Sequence, residues 1–334
     1  MITQEQIAKE LGLSVMTVYR CLSGNGCVSS ATRKRVQEYM QKCNYRPNLM
    51  AQSLKRRSSN IIGLIVPSFS YSYYPEVIES IRTSLGLKYN LVLALSGDDP
   101  LEERKALEML LGIPVAGILI SPAASESSVE NCRYIADSQI PFVMFDRYFN
   151  EDPAWSYVAT DCSAGSAQLV RYLYSLGHRQ IAHIGGSEGS FARQIFEGYC
   201  KGLTECGLPF DPALVIRTSA DEKSGGSAMA ELLKSSRTFT AVHTASDPLA
   251  IGVMNCCREM NVAIPERISV TGFSDIMVAK QLAVPLTTFR EPTMEIGAES
   301  VRLLLEKISG DPGVLPGHLK LPGTFVERNS CKAV

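Results

Sequence analysis

Short apolar runs alternate with amphipathic stretches from Ile61 to the end of this 334-residue chain. Continuous apolar strands that are separated by helices of about ten or more residues imply parallel sheets covered on both faces. The sequence therefore predicts an α/β body. The candidate strands are residues 61–66, 91–95, 117–121, 142–145, 180–184, 241–244 and 268–273.

The predicted body is long enough for two such units. Residues 148–156 contain Pro153 and several polar residues, and they interrupt the alternation. We place the boundary of the first unit near residue 160. A chain of this length holds two or three domains by ordinary size rules.

The first 60 residues carry a charge of opposite sign to the rest of the chain. They hold ten Lys or Arg residues and three acids, a net charge of +7, whereas the remaining 23 basic and 31 acidic residues give −8. Such asymmetry indicates a nucleic-acid-binding module joined to a body with another task. The overall charge of −1 hides this division.

The basic segment has the pattern of short helices joined by a tight turn. Thr3 and Gln6 match a capping box, and Gly12 is placed to end the helix that this box opens. Ser14 is a candidate cap for a second helix, and a third helix is predicted to start near residue 29 or 30. Two helices at a tight turn set the second one into the major groove of DNA.

A short helix-capable stretch follows this head. Pro47 stands at its start, Leu54 lies near its end, and Lys55, Arg56 and Arg57 come next. A leucine on such a segment can act as a wedge at a minor-groove base step, and the cations suit phosphates. The stretch is therefore a candidate hinge.

The run IAKELGLSVMTVYRCLSGNGCVSSATRKRVQEYMQKCNYRPNLMAQSL resembles the DNA-binding head and hinge of the lactose-repressor (LacI) family. The spacing of the later segments extends this resemblance over essentially the full chain. It implies a homodimeric transcriptional regulator, expected to be a repressor, whose heads read operator half-sites under the control of a small-molecule effector. The DNA-binding residues that it implies are Thr3, Ser14, Val15, Met16, Thr17, Arg20, Ser29, Thr32, Asn48, Ala51 and Leu54.

Three of these positions would face base edges in the major groove. Arg20 can read a guanine through two parallel hydrogen bonds, while Val15 and Met16 offer apolar contact, for instance to thymine methyl groups. The resemblance makes Leu54 the intercalating residue of the hinge. The other positions would lie near the DNA backbone.

The resemblance also implies the domain limits. Residues 1–46 are expected to form the all-α helix-turn-helix head, and residues 47–59 the hinge helix and linker. The body would be a two-lobed, periplasmic-binding-protein-like α/β domain with parallel sheets. Its first lobe would comprise residues 60–160 with about 290–320, and its second lobe residues 161–289 with about 321–334.

Aromatic and charged residues follow the candidate strands. Ligands of open parallel α/β sheets bind beyond the carboxyl ends of the strands. Rings beside carboxylates and guanidinium groups suit a polyhydroxylated or anionic small molecule. With one position added by the resemblance, Asp161, the candidate effector-binding residues are Phe69, Tyr73, Tyr74, Asp146, Arg147, Asp161, Arg193, Ser246, Asp247, Phe273 and Asp275.

The sequence departs from the usual family pattern in this region. Ser246 stands where asparagine is common, Ser274 where sugar-binding members often have an acid, and Ile195 where arginine is usual. A sugar or sugar acid is the expected effector. A purine-like or phosphorylated ligand is the next candidate.

Two other classes of protein share parts of this pattern. A dinucleotide-binding enzyme would need G-x-G-x-x-G after a strand, and the glycines at 185, 186 and 189 do not have that spacing. A transport-type solute-binding protein would have the same two-lobed body. The basic head and the polar start MITQEQIAKELG argue against it, since a secretory signal has an apolar core. A cytoplasmic protein with no membrane partner is expected.

The sequence predicts no metal site, cofactor or catalytic residue. Ten cysteines occur and no pair has C-x-x-C spacing, so they are expected to be small buried apolar residues. His183 and His243 fall within candidate strands, and the favoured interpretation is that they are hydrogen-bonded core residues.

Overall fold

The computed structural model describes residues 2–23, 28–43, 45, 59–70, 72–186, 189–311, 313 and 315–334. The chain forms two compact units, Met1–Ser59 and Asn60–Val334. The described helices of the first unit are α1 (Gln4–Leu11), α2 (Val15–Ser23) and α3 (Ser30–Lys42).

Local sequence sets the ends of the first helix. Thr3 Oγ1 accepts a hydrogen bond from Gln6 N at 3.3 Å, and Gln6 Oε1 accepts one from Thr3 N at 2.9 Å. The predicted capping box is therefore confirmed. Gly12 follows α1 with φ of 64°, a left-handed conformation that favours glycine and ends the helix.

A small apolar core holds the three helices of the head together. Its buried residues come from all three helices: Ile7, Ala8, Val18, Cys21 and Val36. Val18 points into this core, whereas Val15 and Met16 at the start of α2 are exposed.

Alternating strands and helices make up the second unit, as the sequence predicts. Its described strands are β1 (Ile61–Val66), β2 (Asn90–Leu95), β3 (Gly117–Ile120), β4 (Phe142–Phe145), β5 (Ser156–Thr160), β6 (Ile181–Gly186), β7 (Val215–Thr218), β8 (Ala241–Thr244), β9 (Ser269–Thr271), β10 (Thr288–Arg290), β11 (His318–Leu321) and β12 (Thr324–Val326). Its described α-helices are α4 (Tyr73–Leu85), α5 (Pro100–Leu111), α6 (Val129–Asp137), α7 (Cys162–Ser175), α8 (Gly189–Glu205), α9 (Glu222–Lys234), α10 (Asp247–Glu259) and α11 (Thr293–Ser309).

The first lobe is built on a six-stranded parallel sheet in the order β2, β1, β3, β4, β5, β11. Strand β1 shows why both faces are covered. Its residues Ile62, Leu64 and Val66 join the apolar cluster that includes α4 and α11, whereas Ile65 joins the cluster that includes α5 and α6. Side chains alternate between the faces of a strand, so an uninterrupted apolar run must be buried on both sides.

The second lobe is built on a four-stranded parallel sheet in the order β7, β6, β8, β9. Helices α7 and α8 pack together, as do α9 and α10. Strands β10 and β12 form an antiparallel pair beside them. The predicted fold class, a helical head followed by a two-lobed parallel α/β body, is confirmed.

The chain passes between the lobes at three places in the described part of the body. These places follow β5, follow β10 and follow β11. Glu291, just after β10, accepts hydrogen bonds from Thr160 Oγ1 and from Ser274 Oγ, each at 2.8 Å. Its carboxyl group therefore joins the end of a first-lobe strand to the second lobe.

Within the described residues, no helix is both long enough and apolar enough to cross a lipid bilayer.

Candidate functional site

The beginning of α2 presents apolar side chains to the outside of the head. Val15 is 38% exposed and Met16 is 57% exposed, and Arg20 is also exposed. Ser14 caps the helix, because its Oγ accepts a hydrogen bond from Thr17 N at 3.0 Å and lies 2.8 Å from Thr17 Oγ1. The cap fixes the residue at which α2 begins and therefore the orientation of these exposed side chains.

The start of α3 has the same construction. Ser29 Oγ accepts a hydrogen bond from Thr32 N at 3.2 Å and lies 2.8 Å from Thr32 Oγ1. Hydroxyl groups at a helix start lie beside free backbone N–H groups, which is the arrangement that favours a phosphate. Asn48, Ala51 and Leu54 of the predicted hinge lie outside the described residues.

A buried carboxyl group follows β4 in the first lobe. Tyr74 Oη donates a hydrogen bond to Asp146 Oδ2 at 2.6 Å, and Ser121 Oγ donates to the same oxygen at 3.1 Å. Burial raises the pKa of Asp146, while the nearby Arg147 guanidinium acts in the opposite direction. Tyr73 is buried next to this group, and its ring meets that of Tyr74 edge to face.

Arg147 points toward the acid that follows β2. It forms an ion pair with Asp98, and Asp98 Oδ1 also accepts a hydrogen bond from Ala124 N at 2.9 Å. Three strand ends of the first lobe are thereby tied together at one edge of the sheet.

In the second lobe, Ser246 and Asp247 begin α10. Ser246 is the helix cap. Asp247 is fully buried, with Oδ1 accepting a hydrogen bond from Thr288 Oγ1 at 2.6 Å and Oδ2 accepting one from Ile276 N at 2.8 Å. Burial raises the pKa of Asp247 to about 7.

Other predicted effector residues make contacts within the protein. Phe273 is fully buried and stacks on Phe289. Asp275 forms ion pairs with Arg290 and Arg328, each at 2.6 Å. Asp161 caps α7 by accepting a hydrogen bond from Ala164 N at 3.0 Å, and Phe69 is exposed.

A cavity of about 280 Å³, here called the central cavity, lies between the strand ends of the two lobes. It brings together Arg147 and Ser246 from the predicted set, which the sequence separates by almost a hundred residues. Asp98, Phe191, Thr218 and Ser219 also line it, together with Arg147 and Ser246.

A larger cavity of about 580 Å³, here called the side cavity, adjoins the central cavity and contains Arg193. A further cavity of about 420 Å³ lies within the second lobe beside α10, around Ile251 and Leu282. Its lining contains none of the predicted site residues.

Sequence reasoning missed two acids of this region. Asp98 stands three residues after a predicted strand, so the strand-end rule itself gave a signal for it. Glu291 is almost fully buried, and burial raises its pKa. The strand-end rule gave no signal for Glu291, because the short strand before it, β10, is not recognisable in the sequence.

His183 and His243 are buried core residues, as predicted, and His178 is buried as well, whereas His318 is exposed. His178 contacts the hydroxyls of Thr240 and Ser269 at 2.7 and 2.9 Å. His183 Nδ1 lies 3.0 Å from His243 Nδ1, and burial lowers the pKa of both rings. Within the described part of the chain, no group of three His, Cys, Asp or Glu side chains is arranged to hold a metal ion.

The prediction that the cysteines are buried is only partly confirmed. Among the described cysteines, five are buried and four are half-buried. The half-buried residues are Cys43, Cys200, Cys206 and Cys331.

Fold and cavities together define a class of protein: a helical DNA-reading head joined to a two-lobed receptor for small molecules. Residues 3–48 match the bacterial regulatory proteins of the lacI family, and residues 170–331 match the periplasmic binding protein-like domain. The ribose operon repressor of Haemophilus influenzae is 30% identical over 336 residues, covering 99% of this chain and 98% of that protein. The regulator AscG of Escherichia coli is 31% identical, covering 97% of this chain and 96% of that protein.

A solved structure of the lac repressor dimer, bound to operator and the anti-inducer ONPF, has the same fold. It matches with a TM-score of 0.87 and 26% identity, covering 99% of each chain. The chain belongs to the LacI family. It is a DNA-binding transcriptional regulator with an effector-binding body, and these relatives do not favour the enzyme or the solute-transport interpretation.

Proposed function

We propose that this protein is a cytoplasmic, homodimeric repressor whose affinity for its operator changes when an effector occupies the central cavity. Each head would read one operator half-site. The domain limits given above for head, hinge and lobes are part of this proposal. The relative solved as a dimer on its operator supports the arrangement.

The observation that carries the DNA-binding half is the exposure of Val15 and Met16 at the capped start of α2. Two neighbouring apolar side chains exposed at a capped helix start suit contact with the thymine methyl groups of a major groove. Arg20, one turn further along the same helix, would donate hydrogen bonds to a guanine. The surrounding cations supply the sequence-independent attraction to phosphates.

The chemistry of the central cavity supports a sugar or sugar acid as the effector. Its hydroxyl groups come from Thr218, Ser219 and Ser246, and the Asp98–Arg147 pair adds an acceptor and a donor. Phe191 offers an apolar surface. One relative was solved in complex with cellobiose, and another is named for the ribose operon.

The lobes provide the conformational switch. Residues from both lobes line the central cavity, so a ligand that binds one interlobe angle more tightly shifts the equilibrium toward that angle. A coupling free energy of about 1–3 kcal/mol changes operator affinity about 5- to 150-fold.

The test uses the full-length protein in two stages. An operator is first selected from random duplex DNA, and its affinity is measured as a function of salt concentration. We expect a linear fall of log affinity with log salt, as for a protein that neutralises several phosphates. Absence of salt-dependent DNA binding would refute the DNA-binding half.

The second stage repeats the operator titration with sugars and sugar acids. We expect at least one of them to change operator affinity within the range given above. A ligand that binds the body tightly but leaves operator affinity unchanged would disprove the switch while leaving the fold intact.

A further inference from the structure

The side cavity has walls from both lobes. The first lobe contributes Tyr148, Asn150 and Lys320, and the second lobe contributes Ser190 and Gln194. Its volume of about 580 Å³ falls in the range of small-molecule sites.

Two contacts join the lobes among the residues that line the side cavity. Tyr148 N donates a hydrogen bond to Ser190 Oγ at 3.3 Å, and Arg193 Nη2 lies 3.5 Å from Glu126 Oε1. The shape of the side cavity therefore depends on the angle between the lobes, as that of the central cavity does.

One aromatic wall of the side cavity is held rigidly. The Tyr148 ring stacks on Tyr157 with centroids 3.9 Å apart and planes 8° apart, and Tyr157 stacks in turn on His318 at 5.1 Å. Lys320 Nζ lies 5.7 Å from the centroid of the Tyr148 ring, so the stacked rings and this cation together form one fixed wall of the side cavity.

The charges around the side cavity nearly cancel. Arg193 pairs with Glu126, and Glu151 lies 3.9 Å from Arg133. Glu197 and Lys320, one acid and one cation, form no ion pair with any described residue. A balanced lining favours a neutral guest that forms hydrogen bonds over a phosphorylated or strongly charged one.

Gln194 gives an independent indication that a guest donates hydrogen bonds here. Its Nε2 donates to Ser190 O at 3.2 Å, which fixes the orientation of the amide. Its buried Oε1 accepts no hydrogen bond from the described residues. A buried acceptor without a donor is costly, and a ligand hydroxyl would satisfy it.

The two cavities adjoin, since Ala124 and Gly189 line both. We infer that the side cavity is a second saccharide subsite, so that the effector has two linked sugar rings, one in each cavity. This inference rests on the proposed function, in which the central cavity takes a sugar. It assigns Gln194 and Asn150 to recognition of the second ring.

Calorimetric titration of the full-length protein tests the inference with matched monosaccharides and disaccharides: glucose with cellobiose and maltose, and galactose with lactose and melibiose. We expect at least one disaccharide to bind tenfold or more tightly than its constituent monosaccharide. Gln194→Leu and Asn150→Ala should each weaken that disaccharide about tenfold, the effect of one lost hydrogen bond, and leave the monosaccharide within about twofold.

Lys201→Ala is the matched control, because Lys201 is exposed on the same helix as Gln194 and does not line the side cavity. It should change neither affinity. Three results would each overturn the subsite. Every disaccharide could bind no more tightly than its monosaccharide, the Gln194 and Asn150 variants could lose affinity for both sugars equally, or no sugar could bind at all. Operator binding without ligand is measured separately, so the DNA-binding role can survive that result.

Discussion

Burial of the Asp247 side chain changes the pKa of its carboxyl group. Its pKa is raised to about 7, whereas an aspartate in an unfolded chain titrates near 3.9. Between about pH 4 and pH 7 the folded state therefore binds the proton more tightly than the unfolded state does. The contribution of Asp247 to the free energy of unfolding falls as pH rises through that window.

Asp247→Asn should remove this part of the pH dependence. The amide oxygen can accept from Ile276 N and the amide nitrogen can donate to Thr288 Oγ1, so both contacts of the neutral acid are kept. We expect the variant to gain about 2 kcal/mol relative to the parent protein between pH 5 and pH 8, measured by urea denaturation.

The exposed Asp152→Asn provides the control for this experiment, and it should follow the parent protein at both pH values. A stability difference between Asp247→Asn and the parent that is the same at pH 5 and pH 8 would contradict the raised pKa.

Arg20 is the residue on which base discrimination should depend most. Arg20→Ala should weaken operator binding by about 1–3 kcal/mol and relax the preference at one base pair of each half-site. The measurement is a gel-shift titration against the operator and its single-base variants. Lys42→Ala, an exposed cation at the end of α3, is the control and should affect all sequences equally. An equally uniform loss for Arg20→Ala would make Arg20 a phosphate contact.

At the level of elements, the sequence is most informative where a strand is buried on both faces. The predicted strands at 61–66, 142–145 and 241–244 match β1, β4 and β8 without change. Strand β5 was not predicted although all five of its residues are buried, because its sequence SYVAT contains Ser156, Tyr157 and Thr160 and is not an apolar run. Strands β10, β11 and β12 were not predicted either. Strand β11 alternates between exposed and half-buried residues, and β10 and β12 have only three residues each, so none of them forms an apolar run.

Helix caps could also be recognised in the sequence. Asp99, the cap of α5, shows how much one cap contributes to the free energy of unfolding. Its carboxylate accepts hydrogen bonds from Leu101 N at 2.7 Å and Glu102 N at 3.3 Å at the start of α5. Asp99→Ala should lower the free energy of unfolding of the body by about 1 kcal/mol, seen as a lower urea midpoint. Asp99→Asn retains an acceptor and should change it little. Equal destabilisation by both variants would show that the cap is not the cause.

At the level of the whole molecule, the sequence predicted that a cleft lies between the lobes but did not predict which side chains line it. The strand-end rule selected Arg147 and Ser246, and both residues line the central cavity, from opposite lobes. The same rule selected Asp247, Phe273 and Asp275, whose side chains contact other parts of the protein. A strand end fixes where a residue lies, but tertiary neighbours decide whether its side chain reaches the cavity.

The proposed dimer leads to a last prediction, about how two heads share one operator. Once the first head is bound, the second head binds as if from a high local concentration, which raises affinity about 10²- to 10⁴-fold over a single site. An operator with two inverted half-sites whose centres lie about one helical turn or a multiple apart should therefore bind at least a hundredfold more tightly than one with a scrambled half-site. Inserting about five base pairs between the half-sites turns one to the opposite face of the duplex and should cause a similar loss. Equal affinity of the full-length protein for one and two half-sites would contradict the dimeric reader, because two linked heads cannot ignore a second site within reach.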